Sequence, residues 1–205
     1  MNFNKNMGKL EIIMGTMFSG KTSYLLNKIA LFVELNLKVL YINIDFDDRS
    51  DLEYSTHNPI FNNIDFKNKN KIYDNPFGVK NENLTMIKVR DFSNITFDSY
   101  DIIMIDEAHF FDDIIKFTKK LIDNKKHVII ATLIADYKGN KFGKVLDLIP
   151  ICDEIVRLES YCIECSKQKK MNKAIYSKRI TKNKESIDIG GSDKYIAVCR
   201  EHFAN

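Results

Sequence analysis

The chain has 205 residues, 44% hydrophobic and 29% charged, the balance of a soluble globular protein able to bury one substantial core. A net charge of +3, with its lysines scattered, argues against a nucleic-acid face. No apolar run approaches the roughly 18 residues needed to cross a bilayer.

Residues 1–9 read as a polar lead. Leu10–Met14 is expected to form a buried strand, and Lys21–Asn36 a helix whose Tyr24, Leu25, Ile29, Leu31, Phe32 and Leu35 recur at helical spacing. Between them lies Gly15-Thr16-Met17-Phe18-Ser19-Gly20-Lys21-Thr22, a complete G-x-x-x-x-G-K-[ST] phosphate loop in its strand–loop–helix setting. Gly15 and Gly20 permit backbone closed to residues with a Cβ, so successive N–H groups and the helix N-terminus face a polyphosphate. Lys21 would reach the β- and γ-phosphates and the Thr22 hydroxyl would bind Mg²⁺, which points to a nucleoside triphosphate. Cleavage of a leader near this loop would destroy it, so no signal peptide is expected. The protein is expected in the cytoplasm, a reducing compartment in which its four cysteines are not presumed to form disulfides.

Lys38–Ile44 reads as a second strand, followed by the charged cluster Asp45-Phe46-Asp47-Asp48-Arg49-Ser50. Residues 51–83 are polar and weakly patterned and are expected to be irregular; Leu84–Val89 reads as a strand. Asp101–Ile105 is a hydrophobic strand running into Asp106-Glu107, a Walker B-like element whose Asp would organise Mg²⁺ at the carboxyl end of the sheet. Phe111–Asn124 is expected to be an amphipathic helix burying Ile114, Ile115, Phe117, Leu121 and Ile122. His127–Leu133 is another buried strand, Phe142–Leu148 a short helix, Asp153–Leu158 the last strand, and Cys152 a core residue. The alternation predicts an α/β fold, a parallel sheet with helices on both faces.

After Glu159 the pattern changes. Cys162-x-x-Cys165 and Cys199-x-x-His202 are short paired spacings that favour a tetrahedral, structural Zn²⁺ on two knuckles. The expected organisation is a phosphate-loop domain over residues 1–159 and a small zinc-ribbon lasso domain over 160–205.

Together these segments resemble the type II thymidine kinases. The resemblance rests on the phosphate loop with its Met17-Phe18 pair, Asp47-Asp48-Arg49 with Ser55-Thr56-His57, Asp106-Glu107-Ala108-His109-Phe110-Phe111, Leu133 to Gly143, Ile189-Gly190-Gly191-Ser192-Asp193-Lys194-Tyr195, and the cysteine/histidine set. It implies transfer of phosphate from ATP to thymidine, with Glu107 as general base and Asp106 helping to hold Mg²⁺. Residues 15–22, Asp47, Asp48, Arg49, Asp106 and His109 would form the nucleotide site. Met17, Phe110, Leu133, Tyr137 and Phe142 would line the base and sugar pocket. Tyr195 would pack on the base, and Ser186, Ile187, Asp188, Ile189 and Gly190 would hydrogen-bond the thymine edge through their backbone. The resemblance also implies a homotetramer and feedback by thymidine triphosphate. His109 stands where the family usually has Gln, Ser50 where Tyr is common, and Ile134-Ala135 where Asp and Gly are frequent. Asp106-Glu107-Ala108-His109 also spells a helicase box, but that alternative needs a second ATPase domain, or roughly 300 residues in all.

Overall fold

A computed structural model describes residues 7–45, 82–182, 188 and 190–204 of the chain. Six strands form one wholly parallel sheet: β1 (Lys9–Gly15), β2 (Val39–Ile44), β3 (Leu84–Val89), β4 (Ile102–Ile105), β5 (His127–Leu133) and β6 (Glu154–Arg157), in the order β3-β2-β4-β5-β1-β6. Strands β1, β2, β4 and β5 are almost wholly buried because both faces of the sheet are covered, which explains their continuous apolar runs.

Alternate residues serve opposite faces. Ile13, Val39, Tyr41, Ile102, Met104, Ile129 and Ala131 pack against Leu25, Leu26, Ile29, Phe32 and Val33 of helix α1 (Lys21–Glu34). Leu10, Ile12, Leu40, Ile42, Ile103, Ile105, Val128 and Ile130 pack against Ile114, Phe117 and Leu121 of α2 (Ile114–Asp123). Phe92 stacks on Phe117 at 4.2 Å and closes that layer. Full burial of each such side chain contributes roughly 1.5–3 kcal/mol.

Some boundaries differ from the sequence reading. Helix α2 starts at Ile114, because the chain first makes a 3₁₀ turn over Ala108–Phe110 and Phe111 is extended (ψ 118°). The short helix expected over Phe142–Leu148 is instead a 3₁₀ helix over Val145–Ile151. Its start is delayed because Gly139 (φ 83°) and Gly143 (φ 66°) set a left-handed turn and Ala135 bridges Lys141. Cys152 is only half-buried: it follows that helix into edge strand β6 and rests on the margin of the core.

The remaining chain forms two small antiparallel sheets. One pairs β7 (Ser160–Tyr161) with β8 (Lys173–Ala174), the other β9 (Tyr176–Arg179) with β10 (Tyr195–Val198). Short helices α3 (Ile163–Lys167) and α4 (Arg200–Ala204) carry the two cysteine/histidine knuckles.

A carboxylate is buried between the sheet and α1. Glu11 on β1 is fully buried, 2.7 Å from Lys28 Nζ on α1 and 3.9 Å from His127 Nε2 on β5. Burial, then Lys9 and Lys28, push the His127 pKa down to about 4 from 6.5. Between those values the unfolded chain binds a proton that the native protein refuses, so stability falls as pH drops from 6.5 toward 4. This one residue accounts for up to about 3 kcal/mol of that fall. His127→Gln is expected to lose part of the acid sensitivity, read as a smaller change in urea-unfolding free energy between the two ends of the window. An unchanged difference would remove His127 from the acid response.

Candidate active site

The phosphate loop joins β1 to α1 at the carboxyl end of the sheet. Gly20 sits at φ 83° with open space where a side chain would begin, so its requirement is conformational. Gly15 is different: a Cβ there would lie 2.3 Å from Ser19 Oγ and 2.9 Å from Leu158 O, so its requirement is room. The Thr16 carbonyl gathers the loop, accepting from Ser19 Oγ at 2.8 Å and from Lys21 Nζ at 2.9 Å. Burial pulls the Lys21 pKa down, and the nearby Glu107 and Asp106 carboxylates oppose that shift.

The two acidic residues after β4 part company. Asp106 is buried, and its backbone N–H still donates to Ile42 O at 2.9 Å, continuing the ladder with β2. Its Oδ2 accepts from Thr22 Oγ1 and Tyr41 Oη, each at 2.8 Å, and its Oδ1 from the Glu107 N–H at 2.9 Å. Glu107 then turns left-handed (φ 49°, ψ 37°), a conformation rare for a residue with a side chain. An extended strand end is therefore not what separates the carboxylates; a strained turn is, at a cost on the order of 1–3 kcal/mol. Burial and the Asp106 charge push the Glu107 pKa up to about 7, against the pull of Lys21.

His109 is enclosed beside this turn, its ring 4.2 Å from that of Phe110 and 4.6 Å from that of Phe142. Phe110 and Phe142 meet edge to face at 5.5 Å. The Leu133 N–H donates to His109 Nδ1 at 3.3 Å, so Leu133, His109, Phe110 and Phe142 form one wall. Burial, then Lys21, holds the His109 pKa well below its usual value.

A second group forms where β9 and β10 approach the loop before Gly139. The Arg179 guanidinium lies 3.7 Å over the Tyr137 ring and donates to Tyr195 Oη at 2.7 Å. Tyr195 Oη in turn donates to the Asp188 carbonyl at 2.6 Å, and Lys194 pairs with the Asp188 carboxylate. Gly190 packs on the Lys194 side chain so closely that a Cβ would collide with it. Met17 belongs to this side through its N–H, which donates to Ser177 Oγ on β9 at 2.9 Å. The Thr16 and Ser160 hydroxyls are 2.6 Å apart, a second link between the phosphate loop and the small sheets. Asp47, Asp48, Arg49, Ser186, Ile187 and Ile189 lie outside the described residues.

Tyr41, Ser160, Ser177 and Arg179 escaped the sequence reading. A tyrosine inside a buried strand, whose hydroxyl must find a partner, was the one available signal for Tyr41. The others sit in segments with no motif.

Cys162, Cys165, Cys199 and His202 converge, with their ligand atoms all within 4.8 Å of one another. His202 Nδ1 lies 3.5, 3.4 and 3.3 Å from the sulfurs of Cys162, Cys165 and Cys199, and the Cys165 and Cys199 sulfurs are 3.8 Å apart. A tetrahedral zinc with bonds of about 2.3 Å to sulfur and about 2.0 Å to nitrogen has edges of about 3.8 and 3.5 Å, so the donors fit a single ion. Asn172 Nδ2 donates to Cys165 Sγ at 3.3 Å, the kind of outer contact that orients a ligand. All four cysteines are free of disulfides.

A sequence model described as thymidine kinase matches residues 8–203. The chain is 36% identical over 200 residues to a thymidine kinase of Fowlpox virus, covering 96% of this chain and 97% of that one. It is 32% identical over 197 residues to the cytosolic thymidine kinase of Homo sapiens, covering 96% and 74%. With a thymidine kinase of Oryza sativa subsp. japonica the identity is 33% over 203 residues, covering 96% and 66%. On the match to its model and on these relatives, the chain belongs to the thymidine kinase family.

Proposed function

We propose that this protein transfers the γ-phosphate of ATP to the 5′-hydroxyl of thymidine. The observation that carries this reading is the division of labour after β4. Asp106 is tied to Thr22 of the phosphate loop, and Glu107, set apart from Asp106 by its left-handed turn, carries a raised pKa beside Lys21. Phosphoryl transfer needs such a division: one carboxylate for the metal and one acceptor for the incoming hydroxyl's proton.

The phosphate loop amides and Lys21 receive the β- and γ-phosphates. Thr22 and Asp106 offer adjacent oxygen donors, the kind that Mg²⁺ prefers, and would hold that ion against the triphosphate. When bound, the ion would supply positive charge to the phosphates. Glu107 takes the proton from the 5′-hydroxyl. Phe110, Leu133 and Phe142 on one side, with Met17 and Tyr137 on the other, would confine base and sugar by shape. Thymine presents acceptor, donor and acceptor along one edge, which backbone groups of Ser186 to Gly190 meet without charge, with Tyr195 beneath the ring. Asp47, Asp48 and Arg49 complete the nucleotide side, and His109, packed on Phe110 and Phe142 and near enough to Lys21 to feel its charge, lies between that side and the substrate wall.

In this reading residues 1–159 form the ATP-binding domain and 160–205 the lasso domain, stabilised by structural zinc on Cys162, Cys165, Cys199 and His202. A homotetramer and feedback inhibition by thymidine triphosphate belong to the same reading, as does a cytosolic location, the term in the names of several relatives. Among the described residues no helix is long and apolar enough to cross a membrane.

The test is a panel of thymidine, deoxyuridine, deoxycytidine and deoxyguanosine, each incubated with ATP and Mg²⁺ and the purified chain. Thymidine is expected to become its 5′-monophosphate, and the protein to carry stoichiometric zinc by metal analysis. ATP turnover that no nucleoside stimulates, but single-stranded nucleic acid does, would overturn the kinase reading.

A further inference from the structure

We propose that His109 is a positioning residue for Glu107: a neutral imidazole whose Nε2–H holds the carboxylate, with the Leu133 amide fixing which nitrogen carries the proton. This rests on the reading of Glu107 as the general base.

The tautomer follows from geometry. The Leu133 N–H donates to Nδ1 at 3.3 Å, so Nδ1 presents its lone pair and the ring proton belongs on Nε2. Nε2 lies 3.3 Å from Glu107 Oε2. That hydrogen bond is not closed in the structure, and Nε2 is a buried polar atom with no hydrogen-bond partner among the described residues. Glu107 keeps 30% of its side-chain surface exposed, whereas the His109 side chain has none, so the carboxylate is the member free to rotate and close the bond.

The ring itself has nowhere to go. Phe110 and Phe142 clamp it, and the backbone behind it is pinned by Gly143, where a Cβ would stand 2.3 Å from His109 O. A rigid donor on one carboxylate oxygen leaves the other aimed at the substrate hydroxyl. The neutral state suits the task. An imidazolium beside the carboxylate would stabilise its ionised form and weaken it as a base, while a neutral N–H orients it with a smaller loss of basicity. Burial and Lys21 both keep the ring uncharged. Because Leu133, Phe110 and Phe142 also belong to the proposed substrate wall, one ring connects the shape of that wall to the aim of the base.

The experiment compares His109→Leu, His109→Met and His109→Gln, alone and combined with Glu107→Gln, in steady-state assays with thymidine and ATP. Leu and Met fill the space without a donor, whereas Gln offers an acceptor for the Leu133 amide and a donor for the carboxylate. Removing a hydrogen bond to a charged group is expected to lower kcat by roughly 10–100-fold. KM for thymidine and ATP should stay within a few-fold, and His109→Gln should recover most of the loss. In the Glu107→Gln background, His109→Leu should cost little more, because residues acting as a unit are not additive. Thermal melts of each variant separate this from unfolding, and Met stands in if Leu does not fold.

Full kcat in a folded His109→Leu or His109→Met protein would overturn the proposal. So would a loss of the same size with and without Glu107, or a loss confined to KM for ATP. If Glu107→Gln alone keeps full turnover, the assignment of the base fails, which is a different result from a silent His109.

Discussion

Replacing Glu107 by Gln is expected to lower turnover by roughly 10²–10⁴, the worth of a positioned general base. The amide keeps the size of the side chain and a contact for His109, but it cannot take the proton of the 5′-hydroxyl. Asp106 should continue to hold its partners, because the Glu107 main-chain N–H that donates to Asp106 Oδ1 is untouched by the change. Affinities for ATP–Mg²⁺ and thymidine are therefore expected to remain within several-fold of the parent, measured by titration beside the kinetics. Full turnover would place the base elsewhere. A loss seen mainly in Mg²⁺ affinity would assign Glu107 to the metal.

Lys21→Ala is expected to cost roughly a hundredfold or more in turnover, as removal of a donor aimed at developing charge does elsewhere. Lys21 is only 7% exposed, and its ammonium is one of the donors gathered on the Thr16 carbonyl. Ser19 Oγ remains on that carbonyl in the variant, so the loop should keep its form while losing the charge that meets the transferring phosphoryl group. Single-turnover assays at saturating ATP separate this chemical loss from weaker binding. A variant with near-normal turnover would remove the phosphate loop from the mechanism.

What was legible in the sequence is what is local in it. The phosphate loop, the Asp106-Glu107 pair and the two metal knuckles each carry their meaning within eight residues or fewer, and the structure places the cysteines and histidine within 4.8 Å. The strands of the main sheet were legible for the same reason, since burial on both faces writes an unbroken apolar run. Tyr41 was not legible, because its role depends on an Asp 65 positions away. Ser177 meets the Met17 N–H across 160 positions, a contact no spacing rule encodes. Arg179 read as one basic residue among many until Tyr137 and Tyr195 were found against it. The Phe142 helix failed on glycine geometry: the left-handed turn ending at Gly143 occupies the positions where its first turn was expected.

The place of β1 in the sheet has a consequence for synthesis. The strand that ends in the phosphate loop pairs along its whole length with β5, Lys9 facing His127, and on its other edge with β6. A growing polypeptide therefore exposes Leu10–Met14 long before either neighbour has left the ribosome. That apolar segment must wait unpaired, and it is in this interval that a holding chaperone or a misplaced strand has its opportunity. Closing so long a loop before any pairing is rewarded also slows the search for the native order of strands. The phosphate loop shares in the delay, since Gly15 at the end of β1 lies against the Leu158 carbonyl just beyond β6.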